Sequence, residues 1–187
     1  MNSAPKNKPL PAPEERRRLR ATVDARVRAE LAHADALVPG SDVVPSAGDL
    51  YAAVLLVKGL PGPAEESGGA AVSGADGDAA AKALAALGTD AESVFRTLSR
   101  PVADADEQAC ARRLRWTVEA VDPLSVVALD ATAAADCSAA CGLPALRPGR
   151  AVQSGGRVFL YVDGLEASLA DPARKRRVWE QFKALAE

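Results

Sequence analysis

The stretch "YAAVLLVKGLPGPAEESGGAAVSGADGDAAAKALAALG", residues 51–88, holds a strand, a loop and a helix in one line. Residues 51–59 are a short, nearly continuous apolar run, the pattern of a central strand covered on both faces in a parallel sheet. Residues 60–77 form a long Gly-rich loop, and "DAAAKALAALG" reads as a helix closed by Gly88. The pattern then recurs. "SVFRTL" (93–98), "LSVVALD" (124–130) and "GRVFLYV" (156–162) read as three more strands. Between them, Asp104 with Glu107 makes a capping-box start for a helix to about Val121, with Cys110, Leu114, Val118 and Val121 on one face. "ATAAADCSAACG" reads as a helix ending at Gly142, and Asp171-Pro172 as the cap and first turn of the last helix. Alternation of this kind predicts an α/β fold, a three-layer α/β/α sandwich with a mostly parallel four-stranded central sheet. Ligands of such sheets bind beyond the carboxyl ends of the strands, so the loops after residues 59, 98, 130 and 162 are expected around one crevice.

The 187 residues are 48% apolar, enough for a sizeable core, but only 4% aromatic, so that core must be built from many small side chains. Residues 1–13 are Pro-rich and polar and are expected to be a disordered tail. Residues 14–36 read as an amphipathic helix whose Leu19, Val23, Val27 and Leu31 recur every four residues and need a partner. Residues 37–187 are expected to form the sandwich domain. Net charge is -2, unevenly spread: both ends are basic and the middle is acidic, which argues against a uniformly basic nucleic-acid-binding surface. Three cysteines without a disulfide spacing, no apolar leader and no stretch near the roughly 20 apolar residues of a membrane span lead to the expectation of a cytoplasmic protein with no membrane partner.

Four segments carry a resemblance to a known family. "VLLVKGLPGPAEESGGAAVSGADG" is similar to a strand, a Gly-Glu-Ala-Pro-Gly turn and a Gly-rich Pro-Phe-Val-Gly loop. "VALDATAA" looks like the strand motif Val-Ala-Leu-Gly-Ala-Thr-Ala-Ala, with Asp130 in place of a glycine. "VDGLEASLADPARKRRVWEQFKAL" is similar to a His-Pro-Ser motif leading into a helix, and "CARRLRWTVEAVDP" has the spacing that follows a cluster cysteine. Over about residues 36–187 the chain thus resembles the uracil-DNA glycosylase superfamily, especially its bacterial iron-sulfur, family 4-like branch. The resemblance implies a glycosylase-like fold, a role in DNA metabolism, and DNA or a DNA-processing protein as partner.

It also locates what is missing. Glycosylases of this kind take up an extruded base, hold a water near the sugar, and stabilise charge on the departing uracil. By motif register the water-orienting acid falls on Gly59 and the histidine on Gly164, while the only histidine of the chain is His33. The base-supporting phenylalanine falls near Val72, and the uracil-reading asparagine on Phe95 or Leu98. With Pro61, Gly62 and Asp130, these positions would make up the pocket. Losing a charge-stabilising donor costs roughly 100 to 1,000-fold in rate, so excision by the usual route is not expected. An iron-sulfur cluster needs four cysteine thiolates. Only Cys110 falls in register, with Ser99 at its partner position, so no cofactor is expected. Cys137 and Cys141 read as small buried residues rather than metal ligands.

The remaining candidates are polar. Asp163 and Glu166 stand where the His-Pro-Ser chemistry would be; in an active enzyme with non-standard residues they would activate water, and with Asp130 they would make the crevice acidic. Asp130 itself is expected to cap the helix beginning at Ala131. Arg174, Lys175, Arg176 and Arg177 read as a solvated face or a phosphate contact. A protein-interaction domain using the N-terminal helix and the apolar face of "VWEQFKAL" is a further alternative. The leading expectation is a catalytically degenerate glycosylase-like protein that acts as a binding or scaffold module.

Overall fold

The computed structural model describes residues 12–40, 43–90, 93–102 and 104–186. Most of the tail expected over residues 1–13 lies outside them. A six-stranded sheet forms the centre of the fold, with strand order β1-β3-β2-β4-β6-β5. These strands are β1 (Ala47–Gly48), β2 (Val54–Lys58), β3 (Val94–Leu98), β4 (Ser125–Ala128), β5 (Val152–Ser154) and β6 (Arg157–Tyr161). The four inner strands β3, β2, β4 and β6 are mutually parallel and match the four read from the sequence. The sheet itself is larger than expected, because β1 and β5 join it as antiparallel edges. Neither had announced itself, since two or three residues are too few to show a period of two. The β5–β6 hairpin turns on Gly155 and Gly156, at φ 57° and 79°, which gives the two positive φ values that a tight hairpin of matching twist requires.

Side chains alternate across the strands into two separate cores. Val54, Leu56, Val94, Leu98, Val127 and Leu160 pack on one face beneath α3 (Ala75–Ala86) and α7 (Pro172–Phe182), through Ala80, Leu84, Val178 and Phe182. Leu55, Val57, Phe95, Val126 and Phe159 pack on the other beneath α4 (Glu107–Val121) and α5 (Ala131–Cys141), through Leu114, Val118, Ala133 and Cys137. The apolar face of "VWEQFKAL" is therefore spent on the core: Val178 and Phe182 are buried and Trp179 packs against them, which corrects the expectation of an interaction surface there. Helix boundaries differ in two places. Asp106, not Asp104, caps α4, accepting from the Ala109 amide at 2.7 Å. α3 starts at Ala75, three residues before the expected Asp78, because the loop's last glycine-rich turn is already helical.

The N-terminal helix α1 (Pro13–Ala36) packs on α4 through its second half, where Val27 and Ala34 are buried. Residues 12–23 are exposed, Leu19 and Val23 included, so half of the expected apolar stripe meets no partner among the described residues. Arg113 of α4 fastens this layer. Its guanidinium is completely buried and donates to Asp35 (2.9 Å), the Leu98 carbonyl (2.9 Å), Ser46 (3.1 Å) and Thr97 (3.3 Å). A buried cation needs such a full set of acceptors. One side chain thus joins α1, the segment before β1, β3 and α4.

Candidate functional site

The chain runs from β2 outward to β3, then back across β2 to β4 and β6, so the direction of winding reverses between β2 and β4. At that reversal the connections leave in opposite directions and open a crevice at the strands' carboxyl ends. A cavity of about 410 Å³ lies there, lined by Lys58, Asp76, Leu129, Asp130, Asp163, Gly164, Leu165 and Glu166. Asp130, Asp163, Gly164 and Glu166, singled out from sequence on two separate motifs, are thus brought together, and the crevice is acidic. The loop after β3 stays out of it. There Ser99 donates to Asp136 at 2.6 Å, and Arg100 makes a paired contact with the same carboxylate, both bonds at 3.0 Å.

Asp130 lies just beyond β4 and caps α5. One carboxylate oxygen accepts from the Ala133 amide at 2.8 Å, the expected helix cap. The other accepts from the Gly59 amide at 2.7 Å, tying the end of β2 to the start of α5. Gly59 has no room for anything else: a β-carbon added there would stand 2.7 Å from both Asp130 Oδ1 and Thr132 Cβ. Glycine at 59 and aspartate at 130 form one packing arrangement. A carboxylate from β4 fills the space into which a side chain from β2 would project.

Gly164 sits at the N-terminal end of the one-turn helix α6 (Leu165–Ser168), with φ 76°, a conformation that glycine adopts without strain. Beside it, Asp163 accepts from the Tyr161 hydroxyl at 3.0 Å, and its amide donates to Gln181 at 2.7 Å. Burial and then the Asp163 contact push the Tyr161 phenol up to about 12. Glu166 is exposed at the rim.

Lys58 and Asp76 were not anticipated. Lys58 is the last residue of β2, 9% exposed, and its ammonium donates to Asp76 at 2.8 Å and to Glu65 at 3.4 Å. Burial disfavours its charge, but the two carboxylates outweigh that and hold its pKa above the ordinary lysine value. Glu65 belongs to the short helix α2 (Pro63–Glu66) and accepts from the Gly62 amide at 2.9 Å. A charged group at the end of an otherwise apolar strand is the sequence signal for this cluster, because a buried ammonium requires acidic partners nearby.

The other positions named from sequence are dispersed. Val72 and Leu98 are buried in one core and Phe95 in the opposite one, so none of the three lines the crevice. Pro61 lines a neighbouring cavity instead, and Gly62 lies against the Lys58 ammonium. Arg174, Lys175, Arg176 and Arg177 are all exposed on the first turns of α7, with Arg174 paired to Asp171 at 3.3 Å. The residues present do not suit an iron-sulfur cluster. Ser99 is engaged with Asp136, and Cys110 is buried against Val38 and Ala109, its thiol pushed up by burial. Cys137 and Cys141 sit on α5 with thiols likewise raised by burial, the opposite of the thiolate character that metal ligation needs.

No protein-family model matches the chain, and no curated protein matches it.

Proposed function

We propose that this protein is a catalytically silent relative of the uracil-DNA glycosylases that serves as a binding or scaffold module in DNA metabolism. The observation that carries the reading is the interlock of Gly59 with Asp130. At the position of the family's water-orienting acid there is no side chain and no space for one, and both oxygens of the nearby carboxylate are engaged by backbone amides. With both oxygens committed to backbone amides, that carboxylate is not free to orient a water. The four carboxylates around the crevice also disfavour a DNA strand there, since phosphate would meet like charge. DNA contact falls instead to the exposed Arg174, Arg176 and Arg177 on α7.

Binding of the full chain to single- and double-stranded oligonucleotides across a salt series tests this reading. Contact through these arginines makes log K fall with log salt by about 0.9 per phosphate neutralised on duplex DNA. Joint substitution of Arg174, Arg176 and Arg177 by Ala is expected to flatten that slope. Binding that is absent at low salt, or that ignores the triple substitution, refutes DNA contact by α7. A second reading is favoured by the exposed half of α1, where Leu19 and Val23 remain 53% and 43% accessible. A protein partner on that helix gives a complex that survives moderate salt without nucleic acid.

A further inference from the structure

A cavity of about 450 Å³ is walled by α3, α6 and α7 and adjoins the crevice, with Leu165 in the lining of both. Its α7 wall is apolar and aromatic, made by Val178, Trp179 and Phe182. Val178 and Phe182 are buried in the core, whereas Trp179 is only half-buried. The α3 wall is made by Ala75, Ala79 and Ala83, which recur every four residues and so share one face of the helix. Small side chains on one wall and a half-exposed indole on the other leave an open slot beside an aromatic ring.

The charges at this slot come from two helices. Lys82 of α3 and Lys175 of α7 line it, are exposed, and form no ion pair among the described residues. Asp78 is in the lining too and offsets one of the two. Lys175 belongs to the basic run 174–177. At about 3.6 residues per turn it shares a face of α7 with Val178, Trp179 and Phe182, while Arg174 and Arg176 flank that face and Arg177 lies behind it. Cations at the start of a helix oppose its macrodipole, so the run does not serve α7 itself. An aromatic ring between cations is how unpaired nucleic acid is held: a base stacks on the ring and the backbone phosphates meet the charges. We infer that the cavity takes one unpaired base of a single strand against Trp179, with the neighbouring phosphates on Lys82 and on Lys175, Arg174 and Arg176. A base inside a duplex is already stacked on its neighbours and cannot enter. The acidic crevice beyond Leu165 leaves the α7 side as the strand's approach. The inference rests on the reading that α7 contacts DNA, and goes beyond it in making that contact selective for single strands and in assigning Trp179, Lys82 and Lys175.

The test uses the full chain carrying Trp116→Phe, so that fluorescence reports Trp179 alone; Trp116 is 42% exposed on α4 and lies outside the cavity. The protein is titrated at low salt with a thymidine oligonucleotide, a strand of the same length without bases, a duplex and polyglutamate, and binding of each is followed separately through the anisotropy of an end label. The oligonucleotide is expected to quench Trp179 saturably and to bind at least about fivefold more tightly than the abasic strand, the lower end of what one base–aromatic stack contributes. The duplex and polyglutamate are expected to leave Trp179 unquenched. Lys82→Glu, at an exposed position, is expected to weaken the oligonucleotide at least about threefold. The comparison among strands needs no change at the cavity, so a misfolded variant cannot decide it. Salt-sensitive binding of the oligonucleotide with Trp179 unquenched, or with the abasic strand equal in affinity, overturns the inference and leaves the contact through α7 standing. Quenching by the duplex or by polyglutamate as strong as by the oligonucleotide overturns it as well, as does an affinity unchanged in Lys82→Glu. No binding of any strand at low salt overturns both the inference and the reading it rests on.

Discussion

Removing the Asp130 carboxylate gives the most quantitative check on the interlock. Asp130→Ala deletes the acceptor for the Ala133 amide at the start of α5 and the acceptor for the Gly59 amide at the end of β2. Loss of a helix cap costs about 0.5 to 2 kcal/mol. Gly59 is buried, so its amide is left without a partner, which costs about 1 to 3 kcal/mol more. The expected total is about 3 kcal/mol, or a fall in Tm of roughly 6 to 12 °C for a domain of this size. Asp130→Asn retains one acceptor oxygen and turns an N–H toward the other amide, so it is expected to cost about half as much. Gly59→Ala is expected to cost about 1 to 3 kcal/mol through its contacts with Asp130 Oδ1 and Thr132 Cβ, both at 2.7 Å. In the Asp130→Ala background one of those contacts is gone. The cost of Gly59→Ala should therefore fall by at least about 0.5 kcal/mol, the coupling expected of residues in contact. Urea denaturation of the four chains, with midpoints compared at constant m, measures every term. An Asp130→Ala cost below about 0.5 kcal/mol, or a Gly59→Ala cost equal in both backgrounds, would refute the interlock.

Three further outcomes follow from the same geometry. Arg113→Met strips a buried guanidinium from Asp35, Ser46, Thr97 and the Leu98 carbonyl, and is expected to destabilise by about 3 kcal/mol and to loosen α1, read as faster amide exchange over residues 27–36. Tyr161 has its pKa raised from 10.0 to about 12, so the folded chain keeps a proton that the unfolded chain loses; its contribution is full below pH 10 and is lost as pH rises toward 12, and Tyr161→Phe should remove that alkaline dependence in denaturation midpoints. Of the three thiols, Cys141 is half-buried while Cys110 and Cys137 are buried, so a disulfide reagent at neutral pH is expected to label Cys141 first and to reach the other two only on unfolding.

Much of this fold is legible in the sequence because its inner strands are buried on both faces. "VLLVK", "VFRTL" and "SVVA" are mostly apolar, and such runs stand out between glycine and aspartate turns. Asp130, Gly142 and Asp171 sit at the caps their identities suggest, since capping depends on local chemistry alone. The edge strands β1 and β5 are held by pairing with neighbours and carry no pattern of their own. Asp104 and Asp106 are equally good caps by residue type, and only tertiary placement separates them.

The candidate site divides in the same way. Asp130 and Asp163 are legible because each closely follows a readable strand, and Glu166 because it stands a few residues further along the same segment as Asp163. Phe95 and Leu98 are three apart on one strand, so they face opposite sides of the sheet and cannot share a pocket. The link from Lys58 to Asp76 spans 18 positions through a loop whose path the sequence does not specify. Its only local trace is a lysine in an apolar run. Pairing across such a loop depends on where α3 docks, which is a property of the packed core rather than of the loop.

A single-turnover excision assay on uracil-containing single- and double-stranded oligonucleotides tests catalytic silence most directly. The account predicts no release of uracil above the rate without protein. Release that Asp163→Ala or Glu166→Ala abolishes would contradict it and identify a working active site in the crevice.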